Sequence, residues 1–246
     1  MYSKKYDSDF IRSNNKFYFE FINKYLDKEF SLVDLGCGTC RKNINIANKV
    51  KSIYGIDINE DMLEKAKINI KNSSVENIKI FFGNNFNSPF QNHIFDICTV
   101  ALTSYSVPEI QRILKPNGIL LIETLTAKDK HEIKDVFGFD ELGNRGFLSN
   151  QSESFRYRNI CDSLTPFFEI IEMKKVEWKT KLEISSFVEL LEVTPTIRNF
   201  SKISDFSAID SISKNGFVEF TESRYYIAAK SRNKDDEVWD KNLKIY

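Results

Sequence analysis

The chain has 246 residues, and its 35 Lys and Arg balance its 35 Asp and Glu. That length suits one α/β domain with an insertion, and 41% apolar residues can bury a core, which excludes wholesale disorder. Zero net charge argues against a protein that grips nucleic acid through its overall field.

Residues 8–28 predict a helix, with Phe10, Ile11, Phe17, Phe19, Phe21, Ile22 and Tyr25 at roughly helical spacing. The apolar run 30–35 predicts a buried strand. Residues 40–50 have helical character, and 52–56 predict a strand closed by Asp57. A helix is expected over 60–71, with Met62, Leu63, Ala66 and Ile70 on one side. Strands follow over 78–82 and 94–101, then a short helix at 110–114, a turn at 115–118 and a strand at 119–123. Alternation of this kind implies a mostly parallel sheet with helices on both faces.

Past Thr124 the pattern loosens. Residues 130–136 and 153–164 predict helices, 137–150 a glycine-containing loop, and 168–176 and 217–229 strands. Between those strands, 178–215 reads as an insertion carrying one helix, at 184–191. Residues 231–246 form a charged tail expected to fray. No apolar run is long enough for a membrane-spanning helix. The N-terminus lacks the apolar stretch of a secretory signal. Four cysteines (Cys37, Cys40, Cys98 and Cys161) are too few for a disulfide scaffold, so a cytoplasmic setting is expected.

The informative segment is Val33-Asp34-Leu35-Gly36-Cys37-Gly38-Thr39-Cys40-Arg41, a glycine turn between a strand and a helix. Glycines there let the backbone approach a ligand closely, and the helix start offers unpaired N–H groups. A dinucleotide prefers a third glycine where Arg41 stands. S-adenosylmethionine carries a sulfonium and an ammonium, which suits an acidic Asp34 beside the turn. Asp57 lies 21 residues after Gly36 and could accept both ribose hydroxyls of either ligand.

With these residues the chain resembles the class I S-adenosylmethionine-dependent methyltransferases of the UbiE-like, or methyltransferase domain 11, type. The resemblance covers roughly residues 30–125. It rests on an ordered set: Asp34-Leu35-Gly36-Cys37-Gly38-Thr39, Gly55-Ile56-Asp57-Ile58 with Met62-Leu63, Phe82-Gly83-Asn84-Asn85-Phe86, Phe95-Asp96, and Arg112-Ile113-Leu114-Lys115-Pro116-Asn117-Gly118. It implies a Rossmann-like, doubly wound, seven-stranded sheet with one antiparallel strand, plus a small lid insertion. The methyltransferase domain would span 1–230, with an N-terminal helical cap over 1–29. Asp34, Gly36, Cys37 and Gly38 would line the methionine end of the cofactor. Asp57 would hold the ribose, and Ile58 and Met62 would pack near the adenine. The turn Asn84-Asn85-Phe86 would face the adenine ring, and Ala101 would lie under the sulfonium side. Asn84 stands where the family has aspartate, and its side-chain oxygen can still accept from the adenine amino group.

Only a short stretch separates Asp96 from Leu114, so the helix usual there is expected to be trimmed to 102–108. The insertion 178–215 would then wall the acceptor pocket. Tyr6, Tyr105, Phe187 and Leu191 are the substrate-pocket candidates. Cys37 and Cys40 lack a second ligand pair, so no metal is expected. His93 and His131 read as surface histidines. No general base stands out. The expected partner is a small-molecule acceptor, with no membrane, no nucleic acid, and a monomer or homodimer. An RNA or protein methyltransferase and a non-catalytic methyltransferase-like binding subunit are the competing readings.

Overall fold

The computed structural model describes residues 15–232. Its elements in chain order are α1 (Lys16–Ile22), β1 (Ser31–Leu35), α2 (Arg41–Ile46), β2 (Ser52–Asp57), α3 (Glu60–Lys71), β3 (Ile78–Phe82), β4 (Phe95–Ala101), α4 (Val107–Ile113) and β5 (Leu114–Leu125). Then come α5 (His131–Lys134), β6 (Phe139–Asp140), β7 (Gly143–Asn144), α6 (Glu153–Leu164), β8 (Phe168–Glu183), α7 (Ile184–Val193), α8 (Phe206–Ile212), β9 (Ser213–Lys214) and β10 (Phe217–Ser231).

The main sheet runs β3-β2-β1-β4-β5-β10-β8, with β9 paired to β10 off that path. Pairings from β3 to β5 are parallel, and β10 is antiparallel to both β5 and β8. Side-chain alternation along the strands sorts the core into two layers. Leu32, Ile97, Leu121 and Ala228 face α1 and α2, meeting Tyr18, Phe21, Ile22 and Ile46. Val33, Cys98, Leu120 and Ile227 face the other way, onto Ile110 and Ile113 of α4 and Ile160 and Leu164 of α6. The sheet is therefore wound on both faces, as the alternation of elements required.

Four sequence expectations are corrected. The expected first helix over 8–28 ends at Ile22, where the Asn23 N–H closes back on the Phe19 carbonyl; residues 8–14 lie outside the described residues. The helix expected at 110–114 starts three residues earlier, spanning 107–113, and the trimmed stretch 102–106 before it carries no helix. A seven-residue α4 is present, opened by Ser106, whose hydroxyl accepts the Glu109 N–H, with Pro108 in the first turn. Residues 115–118 do turn, but as a bulge inside β5: Phe95 pairs with Leu114 while Ile97 pairs with Ile119. Finally, Trp178 does not begin an insertion. β8 continues to Glu183, because β10 supplies a partner at every step from Phe168 to Glu183 apart from one bulge.

The ribbon formed by β8 and β10 outruns β5 and carries a cap built from two chain segments, 126–150 and 184–216. Phe187, Leu191, Ile133, Phe137 and Ile209 pack there on Val218 and Phe220 of β10. The loop expected over 137–150 is thus part of this cap, including the β6-β7 hairpin. Arg145 of one segment grips Asp205 of the other at 2.7 and 3.1 Å, and Arg198 forks onto Asp140. The stretch after β5 is zipped to β10. Lys130 N–H donates to the Thr221 carbonyl at 2.8 Å, Ser223 N–H to Asp129 at 3.0 Å, and Thr221 N–H to Glu132 at 3.1 Å.

Phe187 is fully buried, so Phe187→Ala should cost about 3–5 kcal/mol. Urea unfolding measures this, and a loss under about 1 kcal/mol would show that the cap has no shared core. A second expectation concerns acid. Burial works against ionised Asp129, but Lys130, Arg224 and Lys134 hold its carboxyl down at about 2. Burial likewise opposes Glu132, and Lys179 and Thr221 hold it at about 2. Folded-state values below the ordinary 3.8 and 4.5 mean stability that is present above those values and lost as pH falls toward about 2. The urea midpoint should fall across that window, and Asp129→Asn should flatten the fall; an unchanged slope in that variant would refute the assignment.

Candidate functional site

The parallel strands β1, β2, β3 and β4 end together, and the expected cofactor residues gather at those ends. Gly36 has φ +76°, and a Cβ there would lie 2.7 Å from the Thr103 side chain, so both conformation and space exclude other residues. Gly38 has φ +52°, and a Cβ added to it would meet nothing within 4 Å, so this part of the turn faces open space. Cys40, buried, takes the left-handed conformation at φ 59°, just before α2 starts at Arg41. That conformation favours glycine, and here a cysteine holds it.

Asp57 closes β2 and braces the turn. Its Oδ2 accepts the Gly38 N–H at 2.8 Å, and its Oδ1 accepts the Asn59 N–H at 2.9 Å. Asn59 in turn caps α3, accepting the Met62 N–H at 3.2 Å. One carboxylate thus ties the glycine turn to the next helix, with lone pairs left over for a ligand. Asp34 sits deeper, 6% exposed, where Thr99 donates to one oxygen at 2.7 Å and Asn43 to the other at 2.8 Å. Burial pushes its carboxyl up, against the pull of these two bonds. The structure therefore gives Asp34 a bracing position beneath the turn. Cys37 packs on Cys40, and that contact together with burial pushes its thiol up.

On the adenine side, Ile58, Phe82 and Phe86 are exposed at the ends of β2 and β3, with Ile58 65% open to solvent. Met62 is buried beneath them. Asn84 does not point its oxygen outward. It accepts the Phe86 N–H at 2.9 Å and so shapes the turn. Asn85 donates to the Ser104 carbonyl at 3.1 Å, while its Oδ1 is buried with no partner. The orphaned oxygen at this turn therefore belongs to Asn85, one residue beyond the position the sequence favoured. Past Ala101, Leu102 adopts φ +55°, rare for a leucine, and its N–H donates to the Glu123 carbonyl at 2.9 Å.

Sequence reasoning missed a second group of residues, on the α1 side of β5 and β10. Lys42 of α2 pairs with Glu123, and its Nζ sits 4.0 Å over the Tyr18 ring. Tyr226 donates to the other Glu123 oxygen at 3.3 Å. Arg224 reaches Asp129 and Glu222. The available signal was a charge directly after the apolar run Ile119-Leu120-Leu121-Ile122, at Glu123, and another directly before the run Tyr225-Tyr226-Ile227-Ala228-Ala229, at Arg224. Of the pocket candidates, Tyr105 is partly buried against the α4 and α6 core, and burial pushes its hydroxyl up. Phe187 and Leu191 lie in the cap core, 0% and 2% exposed, so they stabilise the cap from within and present no open wall. Tyr6 lies outside the described residues.

A family model described as a methyltransferase domain matches residues 26–183. The chain belongs to that family. A probable cobalt-precorrin-6B C(15)-methyltransferase (decarboxylating) of Methanococcus maripaludis is 30% identical over 131 residues, covering 53% of this chain and 71% of the relative. A demethylmenaquinone methyltransferase of a Geobacillus species is 31% identical over 103 residues, covering 37% of this chain and 44% of the relative. The chain therefore spans less than half of that second relative. Among solved structures, a SAM-dependent methyltransferase from Methanosarcina mazei aligns with TM-score 0.53 and 16% identity over 86% of this chain and 96% of the other. The [4+2]-cyclase SpnF aligns with TM-score 0.62 and 15% identity, over 92% and 86%. These structures share the fold.

This methyltransferase uses S-adenosylmethionine as its cofactor. The residues present fit that group: an open turn at Gly38, a carboxylate at Asp57, an apolar rim at Ile58 and Phe86, and the orphaned oxygen of Asn85. Asp57→Ala should lower S-adenosylhomocysteine affinity by more than about tenfold, because it removes charge-assisted bonds and frees the Gly38 N–H. Calorimetry on the folded variant checks this, and unchanged affinity would remove Asp57 from the site.

Proposed function

We propose that this methyltransferase acts on a small-molecule acceptor, held on the α1 side of the sheet's C-terminal edge beneath the cap. One observation carries the reading: two largely buried polar clusters, Lys42 with Glu123 and Tyr226, and Arg224 with Asp129 and Glu222, make a polar wall on one side of the sheet beside the end of β4, where Ala101 pairs directly with Glu123. Such a wall suits a compact polar ligand better than an extended polymer. The small-molecule names of the precorrin and menaquinone relatives support it. So does the absence of excess positive charge.

In this reading Gly36, Cys37 and Gly38 line the methionine end of the cofactor, Asp57 takes the ribose, and Ile58 and Phe86 flank the adenine over buried Met62. Asn85 accepts from the base, and Ala101 lies on the sulfonium side. When bound, S-adenosylmethionine supplies an electron-poor methyl group for in-line displacement. The chain's own task is to align the acceptor and exclude water. Alignment alone is worth about 7–11 kcal/mol in well-oriented systems. Lys42 fixes the Glu123 carboxylate, and Asp129 and Glu222 fix the Arg224 fork, so the wall is ordered before the acceptor arrives. The cap closes the outer side, acting through its packed core and not through Phe187 or Leu191 directly. The proposed setting is the cytoplasm, which the four free cysteines support, and the proposed state is a monomer or homodimer.

The test is release of S-adenosylhomocysteine against a metabolite panel rich in hydroxylated and carbonyl-bearing rings, with bulk RNA and a protein lysate alongside. Turnover is expected with a panel member and with neither polymer. Turnover on RNA or protein alone would overturn the reading.

A further inference from the structure

Two N–H donors on the α1 side of the sheet are buried and have no partner among the described residues. Arg224 is 5% exposed. It gives Nη1 to Asp129 and Nη2 to Glu222, the latter at 2.6 Å, but its Nε–H meets nothing. The Nε1–H of Trp178 is withdrawn from solvent in the same way and also meets nothing. The two are neighbours. Trp178 pairs with Glu222 across the ribbon, two residues before Arg224, and the guanidinium carbon lies 5.5 Å from the Trp178 ring centre. The Phe17 ring of α1 lies 5.3 Å from that of Trp178, tilted by 34°.

Folded proteins satisfy nearly all buried donors, and an unmet one costs stability. Two unmet donors side by side have no structural reason here, because Asp129 and Glu222 already compensate the Arg224 charge. The position matters too. Arg224 pairs with Leu125 at the end of β5, and two residues on, Tyr226 pairs with Glu123, which itself pairs with Ala101. With strands about 4.8 Å apart, Arg224 stands about 10 Å across the sheet from β4. That is the reach of one small ring system from the sulfonium side.

We propose that Arg224 Nε–H and Trp178 Nε1–H are the recognition donors for the methyl acceptor, and that the acceptor is a planar ring bearing a neutral carbonyl or hydroxyl oxygen. The oxygen is neutral because a further anion would face Asp129 and Glu222. The ring is planar because the two donors stand beside the flat faces of Phe17 and Trp178, both half-buried, which favour stacking. This assignment rests on the small-molecule methyltransferase reading and names its substrate class.

The test uses the full chain saturated with S-adenosylhomocysteine, with 1-naphthol and 2-naphthol as probes and naphthalene as the oxygen-free control. Calorimetry should find a naphthol binding at least about tenfold tighter than naphthalene. Trp178→Phe keeps an aromatic ring and deletes the N–H, and it should weaken naphthol about three- to tenfold while leaving naphthalene and S-adenosylhomocysteine unchanged. The same variant should melt at or above the wild-type temperature, because the unmet donor is gone; a residue serving only packing would lower it. Arg224→Lys keeps the charge and deletes Nε–H, and it should weaken naphthol similarly. Naphthol binding no better than naphthalene, or unaffected by Trp178→Phe, would overturn the proposal. Failure of the wild type to bind S-adenosylhomocysteine would instead overturn the cofactor assignment beneath it, so the two failures are distinguishable.

Discussion

The antiparallel pairing of β10 governs most of the upper half of this molecule. β5 ends at Leu125 opposite Arg224, but β10 continues back to Phe217, with β8 beside it for the whole distance. Those unsupported rungs would be a bare two-stranded ribbon, which is marginal in water. The cap solves that problem by laying Phe187, Leu191 and Ile209 on Val218 and Phe220. In exchange, the ribbon raises Trp178, Glu222 and Arg224 above the level where β4 ends. The proposed acceptor wall and the cap foundation are thus two uses of one over-long strand pair.

The lower half depends on the carboxylate of Asp57. The glycine turn has too little side chain to hold itself, and two of its glycines have positive φ. A bond from Gly38 N–H to Asp57, with Asn59 and Met62 next in the chain of contacts, fixes the turn against α3. Asp34 completes the support from below through Thr99 and Asn43. The same residues that a family pattern marks as ligand-binding are, in the free protein, also what keeps the turn open and ordered.

The parallel half was legible from sequence because its signals are local: short apolar runs, glycines at strand ends, and a helix in every crossover but that from β3 to β4. The helix at Glu153–Leu164 was legible for the same reason, with Ser152 as its cap. The end of β8 was not. Residues 177–183 alternate charged and uncharged side chains, and only the partner strand about forty residues later turns that alternation into a strand. The cap escaped because its two halves are separated in sequence and joined by ion pairs, Arg145 with Asp205 and Arg198 with Asp140. In the site, the glycine turn and Asp57 could be read from spacing. Asn85 could not be told from Asn84, since which neighbouring amide turns inward depends on Ser104 and Phe86. Glu123 and Arg224 were visible only as charges at the ends of apolar runs.

The order in which the sheet is assembled along the chain also has a consequence during synthesis. β5 is complete at Leu125, yet its outer edge is covered only when β10 appears, about a hundred residues later. Until then a nascent chain presents an unpaired, apolar strand edge, Leu120-Leu121-Ile122, to whatever is near it. Refolding from denaturant meets the same delay, since closing so long a loop precedes the pairing that rewards it. The interval between ribosomal emergence of residue 125 and residue 231 is therefore when a holdase chaperone would find this protein.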